Sequence, residues 1–486
     1  MLFSTGTFWL FFPVVVALLA LNRASLRSVS VQNAILLGAS YVFYGWWDWR
    51  FLGLIIASTL IDYIAALQMD RCERATEKGA AARRRWLHLS VFANLSILGF
   101  FKYFGFFSEE LRQALGAAGI EANWATLDII LPVGISFYTL QTLSYSIDVY
   151  YGRTRAEANL LRYATYVAFF PQLVAGPIER ARKLIPQFES LAQPSWEPGY
   201  QGVRLIIAGL FLKIVIADNL APYVDTIWAN YAQLDGGALI LGMLYFAIQI
   251  YADFAGYSSI AIGLAAIMGF RLSTNFATPF LATSISALWR RWNITLTMFF
   301  RDYVYAELRS TKRGSRPSES RIALANIVTF FISGLWHGAN WTFILWGTIH
   351  GVLLSAERQW RRVVSLPKSR IISLAGWVYA FGIFFMLAPL FRSPDISTAF
   401  AIYARSFAEI AIPESQRFGL VFVGLSFAVD LLWHGRERLE RGLRLDWMGA
   451  RGKDLTEMVL FAAALIVVLI NATNRQEANA FIYFQF

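Results

Sequence analysis

The sequence predicts an all-α polytopic integral membrane protein, and three observations predict it. The 486 residues are 57% hydrophobic and only 15% charged, a composition suited to a chain surrounded mainly by lipid. Apolar runs of about 17 to 23 residues recur along the whole length, each long enough to cross a hydrocarbon core of roughly 30 Å as a helix. Lys and Arg gather in a subset of the loops between those runs, the pattern of charges held on the cytoplasmic side.

Twelve spans are expected, near 3–21, 31–47, 51–69, 86–107, 128–150, 201–220, 237–257, 322–339, 341–357, 371–391, 418–433 and 457–472. The first has no Lys or Arg before it and no small-residue cleavage site, so it reads as a retained helix. A segment around 160–177, "RYATYVAFFPQLVAGP", is expected to enter and leave on one face. With that re-entry, the loops at 22–30, 70–85, 151–163, 178–200, 270–321, 358–370 and 434–453 lie together inside. They hold about 34 of the 43 Lys and Arg, and both termini face outward. Pro171, Gly176 and Pro177 interrupt helical hydrogen bonding there, which suits a protein-buried or water-lined setting.

The net charge of +11 follows from this topology and from contact with anionic lipid headgroups, so no nucleic-acid partner is expected. One cysteine, Cys72, rules out a disulfide framework or a Cys metal cluster. With no repeat and no long linker, residues 1–486 read as one membrane domain, and the chemistry must occur in or at the membrane.

The cytoplasmic stretch 270–321 differs from the other loops. Its part "SISALWRRWNITLTMFFRDYVYAEL", Ser284 to Leu308, mixes aromatics with Arg290, Arg291 and Arg301 and lacks the apolarity to span. It reads as one interfacial or partly inserted helix, with Ser284 or Ser286 as its cap. The following "RSTKRGSRPSESR" reads as a flexible basic loop.

Next comes 322–357, read as a helical hairpin carrying "SGLWHGANWTFILWGTIHG", Ser333 to Gly351, with two histidines in a strongly apolar setting. On one continuous helix, rings thirteen residues apart would differ by roughly 220° in azimuth and 19 Å in height, so one metal could not take both. Gly338, Ala339 and Asn340 instead mark a break, which puts His337 at the end of one helix and His350 well down the next. Intramembrane ionisable residues are costly and functional by default. His337, flanked by Trp336 and Trp341 and beside Asn340, is a competent general base near neutral pH. Either ring could instead simply donate to a backbone carbonyl on a neighbouring helix, a reading that suits His350 better than His337.

Taken together with "WRRWNITLTMFFRDYVY", "FFPQLVAGPIERARKL", "ILPVGISFYTLQTLSYSIDVYYG" and "QIYADFAGYSSIAIG", this stretch resembles the membrane-bound O-acyltransferases, in the bacterial branch of the alginate O-acetylation protein. The resemblance runs in order from about Tyr44 to at least Gly351. It implies about 11–12 transmembrane helices with re-entrant and interfacial helices around a central tunnel. The family histidine falls on His337 and its upstream Asn-or-His position on Asn293, where the branch usually carries His. Ser259, and "YVYAELRS" after Asp302, also depart from the branch pattern.

The resemblance implies transfer of an acyl group, usually acetyl, from a cytoplasmic thioester such as acetyl-coenzyme A to a hydroxyl outside a bacterial inner membrane. No bound cofactor is implied. His337 would be the base, and Asn293 would either donate to the thioester oxygen or fix the histidine tautomer. Arg290, Arg291 and Arg301 face the side where coenzyme A diphosphates would pass, and equally suit a positive-inside anchor. Asp302, Trp336, Asn340 and His350 complete the candidate substrate contacts. Asp148 and Asp253 fit ion pairs or polar contacts lining the tunnel. The acceptor would be an extracytoplasmic glycan, reached with a periplasmic SGNH-like acyltransferase as partner. A transporter or channel, or a non-enzymatic part of a polysaccharide-export complex, are the competing classes.

Overall fold

The computed structural model describes residues 1–74, 76–120, 129–311, 315–365, 367, 369–408, 410–442, 450–473 and 481–482, with the backbone alone at 433–442 and 450–460. Every regular element among them is helical. Seven stretches are long and apolar enough to cross a membrane: Gly6–Ala24, Val29–Arg71, Glu77–Ala117, Trp196–Ala229, Gly236–Met268, Arg370–Arg392 and Glu414–Leu432. Val29–Arg71 carries two expected spans, separated by the 3-10 turn Trp49–Phe51, where the Asp48 carboxylate accepts the Arg50 amide at 3.0 Å. Spans 322–339 and 341–357 fall on the 19-residue Glu319–His337 and 23-residue Trp341–Val363 helices, and 457–472 lies within Ala450–Thr473.

The expected span 128–150 needs correction. Its described helix is Ile135–Tyr150, 16 residues and about 24 Å long, short of a hydrocarbon core. Pro132 and Gly134, whose φ of +77° suits glycine, stop the helix from starting earlier. Fourteen of its residues are buried, so it is surrounded by protein and not by lipid.

The chain divides into two compact units, residues 1–202 with 261–273, and residues 203–260 with 274–486. The first is pinned by a buried polar knot. Asp62, wholly buried on Leu52–Arg71, accepts from Ser90 Oγ, from Asn94 Nδ2 at 2.9 Å and from Ser146 Oγ at 3.0 Å, tying Glu77–Leu98 and Ile135–Tyr150 to its own helix. A buried carboxylate is tolerable only with such donors. In the same unit every residue from Tyr163 to Ala181 is buried, around the short helices Leu160–Ala168 and Phe170–Leu173. Nine residues rise only about 14 Å, too little to cross. Trp46, Trp47 and Trp49 stay exposed, as an interfacial aromatic belt would.

The second unit is built on aromatic packing. Trp292 meets Tyr251, Phe276, Phe280 and Phe384 with ring centres 4.7–6.0 Å apart. Its buried charged groups include a triad: the Lys213 ammonium lies 3.0 Å from Asp218 and 2.7 Å from Asp253, and Asp253 also accepts the Ile482 amide at 2.7 Å. Asp148, in the first unit, pairs with Arg153 at 3.3 Å.

The stretch 284–308 is not one helix. It folds as Ile285–Trp289, Ile294–Phe300, a π-helical turn Arg301–Tyr305 and Ala306–Arg309. The break falls at Asn293, whose left-handed backbone (φ 40°, ψ 57°) no α-helix can carry through. Ser284, and not Ser286, is the cap, its hydroxyl accepting the Ala287 amide at 3.0 Å. In the basic loop that follows, 312–314 lie outside the described residues.

Candidate active site

The two histidines sit on an antiparallel hairpin. Glu319–His337 starts on a Ser318 cap, which accepts the Arg321 amide at 3.2 Å, and ends at His337, after which Gly338 is extended. Asn340 then caps Trp341–Val363: its Oδ1 accepts the Thr342 amide at 2.9 Å and its Nδ2 donates to the Pro394 carbonyl at 2.5 Å. The two helices touch backbone to backbone. A methyl group at Gly334 would lie 2.2 Å from the Phe343 carbonyl oxygen, and one at Gly347 2.2 Å from that of Phe330. At the far end, about 27 Å from His337, Arg358 Nε bonds Glu319 at 2.9 Å and holds its carboxyl below the usual range.

Both imidazoles are buried, His337 at 3% exposure and His350 at 0%. The His337 ring centre lies 5.0 Å from Trp336, 5.2 Å from Trp346 and 5.2 Å from Phe391. Trp346 is shared: it also stands 4.7 Å from His350. His350 Nδ1 accepts from Trp289 Nε1 at 3.4 Å, so its neutral ring carries the proton on Nε2. Trp346 and Phe391 further line a small cavity of ≈ 20 Å³ with Phe246, Ala247, Ile250, Trp292, Phe384 and Ala388, room for about one water molecule.

Asn293 directly follows the cavity-lining Trp292 and is 1% exposed. Neither Oδ1 nor Nδ2 has a hydrogen-bond partner among the described residues, unusual for a buried amide. Outside glycine, Asn, Asp and His are the residue types enriched at positive φ. Asn293 is thus a residue type suited to its backbone.

The remaining candidates are placed less centrally. Arg290 donates to Ser286 Oγ at 2.6 Å, and Arg291 reaches the Thr278 carbonyl at 3.5 Å. Arg301 pairs with Asp302 at 2.8 Å on an exposed face. Asn340 already serves the helix cap and Pro394, and Trp336 packs on Phe300 with ring centres 6.5 Å apart.

Sequence reasoning missed Trp346, Trp289 and Phe391. Trp346 is signalled only by standing four residues before His350, on the same helix face. Among the described residues, no group of three or more His, Cys, Asp or Glu side chains could hold a metal.

Residues 153–393, which include Asn293, His337 and His350, match the model of the membrane-bound O-acyltransferase family. The chain is 40% identical to the probable alginate O-acetylase AlgI of Azotobacter vinelandii over 84% of its own length and 78% of that protein's. It is 34% identical to the protein of the same name from Pseudomonas putida over the whole of both chains. To the peptidoglycan O-acetyltransferase of Helicobacter pylori it is 32% identical, over 83% of this chain and 79% of that one. The chain belongs to the membrane-bound O-acyltransferase family, in its alginate O-acetylase branch. It is a multi-pass membrane acyltransferase.

Proposed function

We propose that this enzyme moves an acetyl group from a thioester entering from the cytoplasmic side of a bacterial inner membrane to a hydroxyl outside it. His337 is the general base. The observation that carries the reading joins two groups to one small cavity: the His337 ring packs against its walls Trp346 and Phe391, and Asn293, whose buried amide has no hydrogen-bond partner among the described residues, directly follows its wall Trp292. The relatives named as acetylases of alginate and peptidoglycan support acetyl as the group and a polymer hydroxyl as the acceptor.

The chemistry needs only these parts. His337 takes the hydroxyl proton as the oxygen attacks the thioester carbon, and the C=O electrons move onto the carbonyl oxygen, where the Asn293 amide donates. Collapse re-forms the carbonyl and breaks the C–S bond, and the departing thiolate takes the proton back from the imidazolium. Arg290 and Arg291 lie on the donor side, where guanidinium groups suit coenzyme A phosphates. The acceptor hydroxyl belongs to an extracytoplasmic polysaccharide, or to a periplasmic SGNH-type partner that passes the group on.

Transfer of radiolabel from acetyl-coenzyme A in membranes at matched protein abundance tests this. His337→Ala should lose about 10²-fold or more, the contribution of a positioned base, and His350→Ala less than tenfold. Equal labelling by wild type and His337→Ala would make the ring structural.

A further inference from the structure

The segment preceding the Asn293 break does something its own sequence does not announce. Residues 275–277 run beside 291–295 and bond to them at both ends: the Ala277 amide donates to the Arg291 carbonyl at 3.0 Å, and the Ile294 amide to the Asn275 carbonyl at 2.8 Å. Asn275 Oδ1 then accepts twice from Thr295, from the amide at 3.2 Å and from Oγ1 at 3.0 Å. An N–H can only donate, so the oxygen end of the Asn275 amide must face Thr295. Its nitrogen end donates to Ser258 Oγ at 3.2 Å, which fixes that orientation. Asn275 is 1% exposed and Ser258 2%.

Thr295 is the second residue of the Ile294–Phe300 helix, and Asn293 is its N-cap. A cap asparagine ordinarily bonds its own side-chain oxygen to the amide at that second or third position. Here it does not: Asn293 makes no cap hydrogen bond, because Asn275, from a separate segment, satisfies the first two amides of the helix. The same clasp holds residue 293 in the left-handed region. Asn293 is thereby spared the structural task its residue type and position would give it, and its buried amide keeps both ends available to a ligand.

We propose that Asn275, oriented by Ser258, is a positioning residue that keeps the Asn293 amide free for the acyl donor by capping the helix in its place. The inference rests on the role of Asn293 given above. Without the clasp, the Asn293 oxygen turns to its own helix and its amide is lost to the thioester.

The test is label transfer from radiolabelled acetyl-coenzyme A by the full chain in membranes, at matched abundance, as a double-mutant cycle. Asn275→Ala should lower the rate at saturating donor by about 10- to 100-fold, the scale on which small misplacements act. Asn275→Asp, which keeps the acceptor oxygens, should restore most of it. Asn275→Ala placed in an Asn293→Ala background should cost nothing further, since its target is gone. A purely structural Asn275 would instead cost the same factor in both backgrounds, and that result, or an unchanged rate in Asn275→Ala, overturns the proposal. If Asn275→Ala does not accumulate, Ser258→Ala decides in the same two backgrounds. A several-fold loss confined to the Asn293 background sustains the proposal; no loss, or an equal loss in both, overturns it. Asn293→Ala at the wild-type rate removes the role of Asn293 itself, whereas a slow Asn293→Ala beside a normal Asn275→Ala removes only the clasp.

Discussion

The Trp346 indole meets the His337 imidazole edge to face, ring centres 5.2 Å apart and planes at 88°. Because Trp346 also packs on His350 and lines the cavity, it determines both where the His337 ring stands and what room lies beside it. Trp346→Phe should keep a ring in that place and retain most of the transfer rate. With His337 as the proposed base, Trp346→Ala should lower the rate more than tenfold, since a reacting group displaced by an ångström loses on that scale, and should cost about 3–5 kcal/mol of stability. Initial rates in membranes, with thermal unfolding in detergent, separate the two effects.

Gly334 and Gly347 let the hairpin close, and each would press a methyl group into backbone carbonyl oxygen at 2.2 Å. Gly334→Ala and Gly347→Ala should therefore each cost about 1–3 kcal/mol, the usual range for overpacking, and slow transfer by moving His337. Gly382, with nothing within 4 Å of an added methyl, serves as the control. Melting temperatures of Gly382→Ala below those of the hairpin variants would refute the close-packing account.

Removing Lys213 should be more damaging than removing either carboxylate it serves. Lys213→Met removes the cation that the buried Asp218 and Asp253 share, and breaking such a pair costs about 3–5 kcal/mol. Asp253→Asn keeps an acceptor for the Ile482 amide and leaves the Lys213–Asp218 pair in place, so folded yield should fall less. Equal yields of the two variants in detergent would contradict this order.

Asp395 supplies a pH dependence on the hairpin-turn side. Hydrogen bonds from the Ser397 hydroxyl and the Thr398 amide hold its carboxyl below the usual carboxylate range as it caps Ile396–Ser406. A depressed folded value gives stability that is complete above the unfolded pKa, near 3.9, and is lost as pH falls through the folded value. Asp395→Ala should lower the melting temperature by a constant amount between pH 8 and about 5, with the difference shrinking only in stronger acid. A difference that grows on acidification has the wrong sign.

What the sequence disclosed depended on the range of the physics involved. Uninterrupted apolarity is a local property, so Gly6–Ala24, Gly236–Met268 and Arg370–Arg392 were legible from hydropathy alone. The hairpin break was legible too, since Gly338 and Asn340 are local signals, and Asn340 caps the second helix as its residue type suggests. The short helix at Ile135 was foreshadowed by Pro132 and Gly134, which an apolar count passes over. The break at Asn293 was not legible, because it depends on a clasp from Asn275, in a stretch with no helical period. Nor was the approach of Trp346 to His337, which exists only once the hairpin closes.

The cavity beside His337 is walled by six aromatic rings or branched chains and two alanines, with no charged side chain among them. Apart from the indole N–H groups of Trp292 and Trp346, such a wall offers a visiting group nothing to bond, so discrimination there works by bulk. In a rigid apolar recess each surplus methylene is refused by about 1–3 kcal/mol, and rings yield space only in large steps. The recess is therefore a caliper set to about one water molecule, and its gap widens one wall residue at a time.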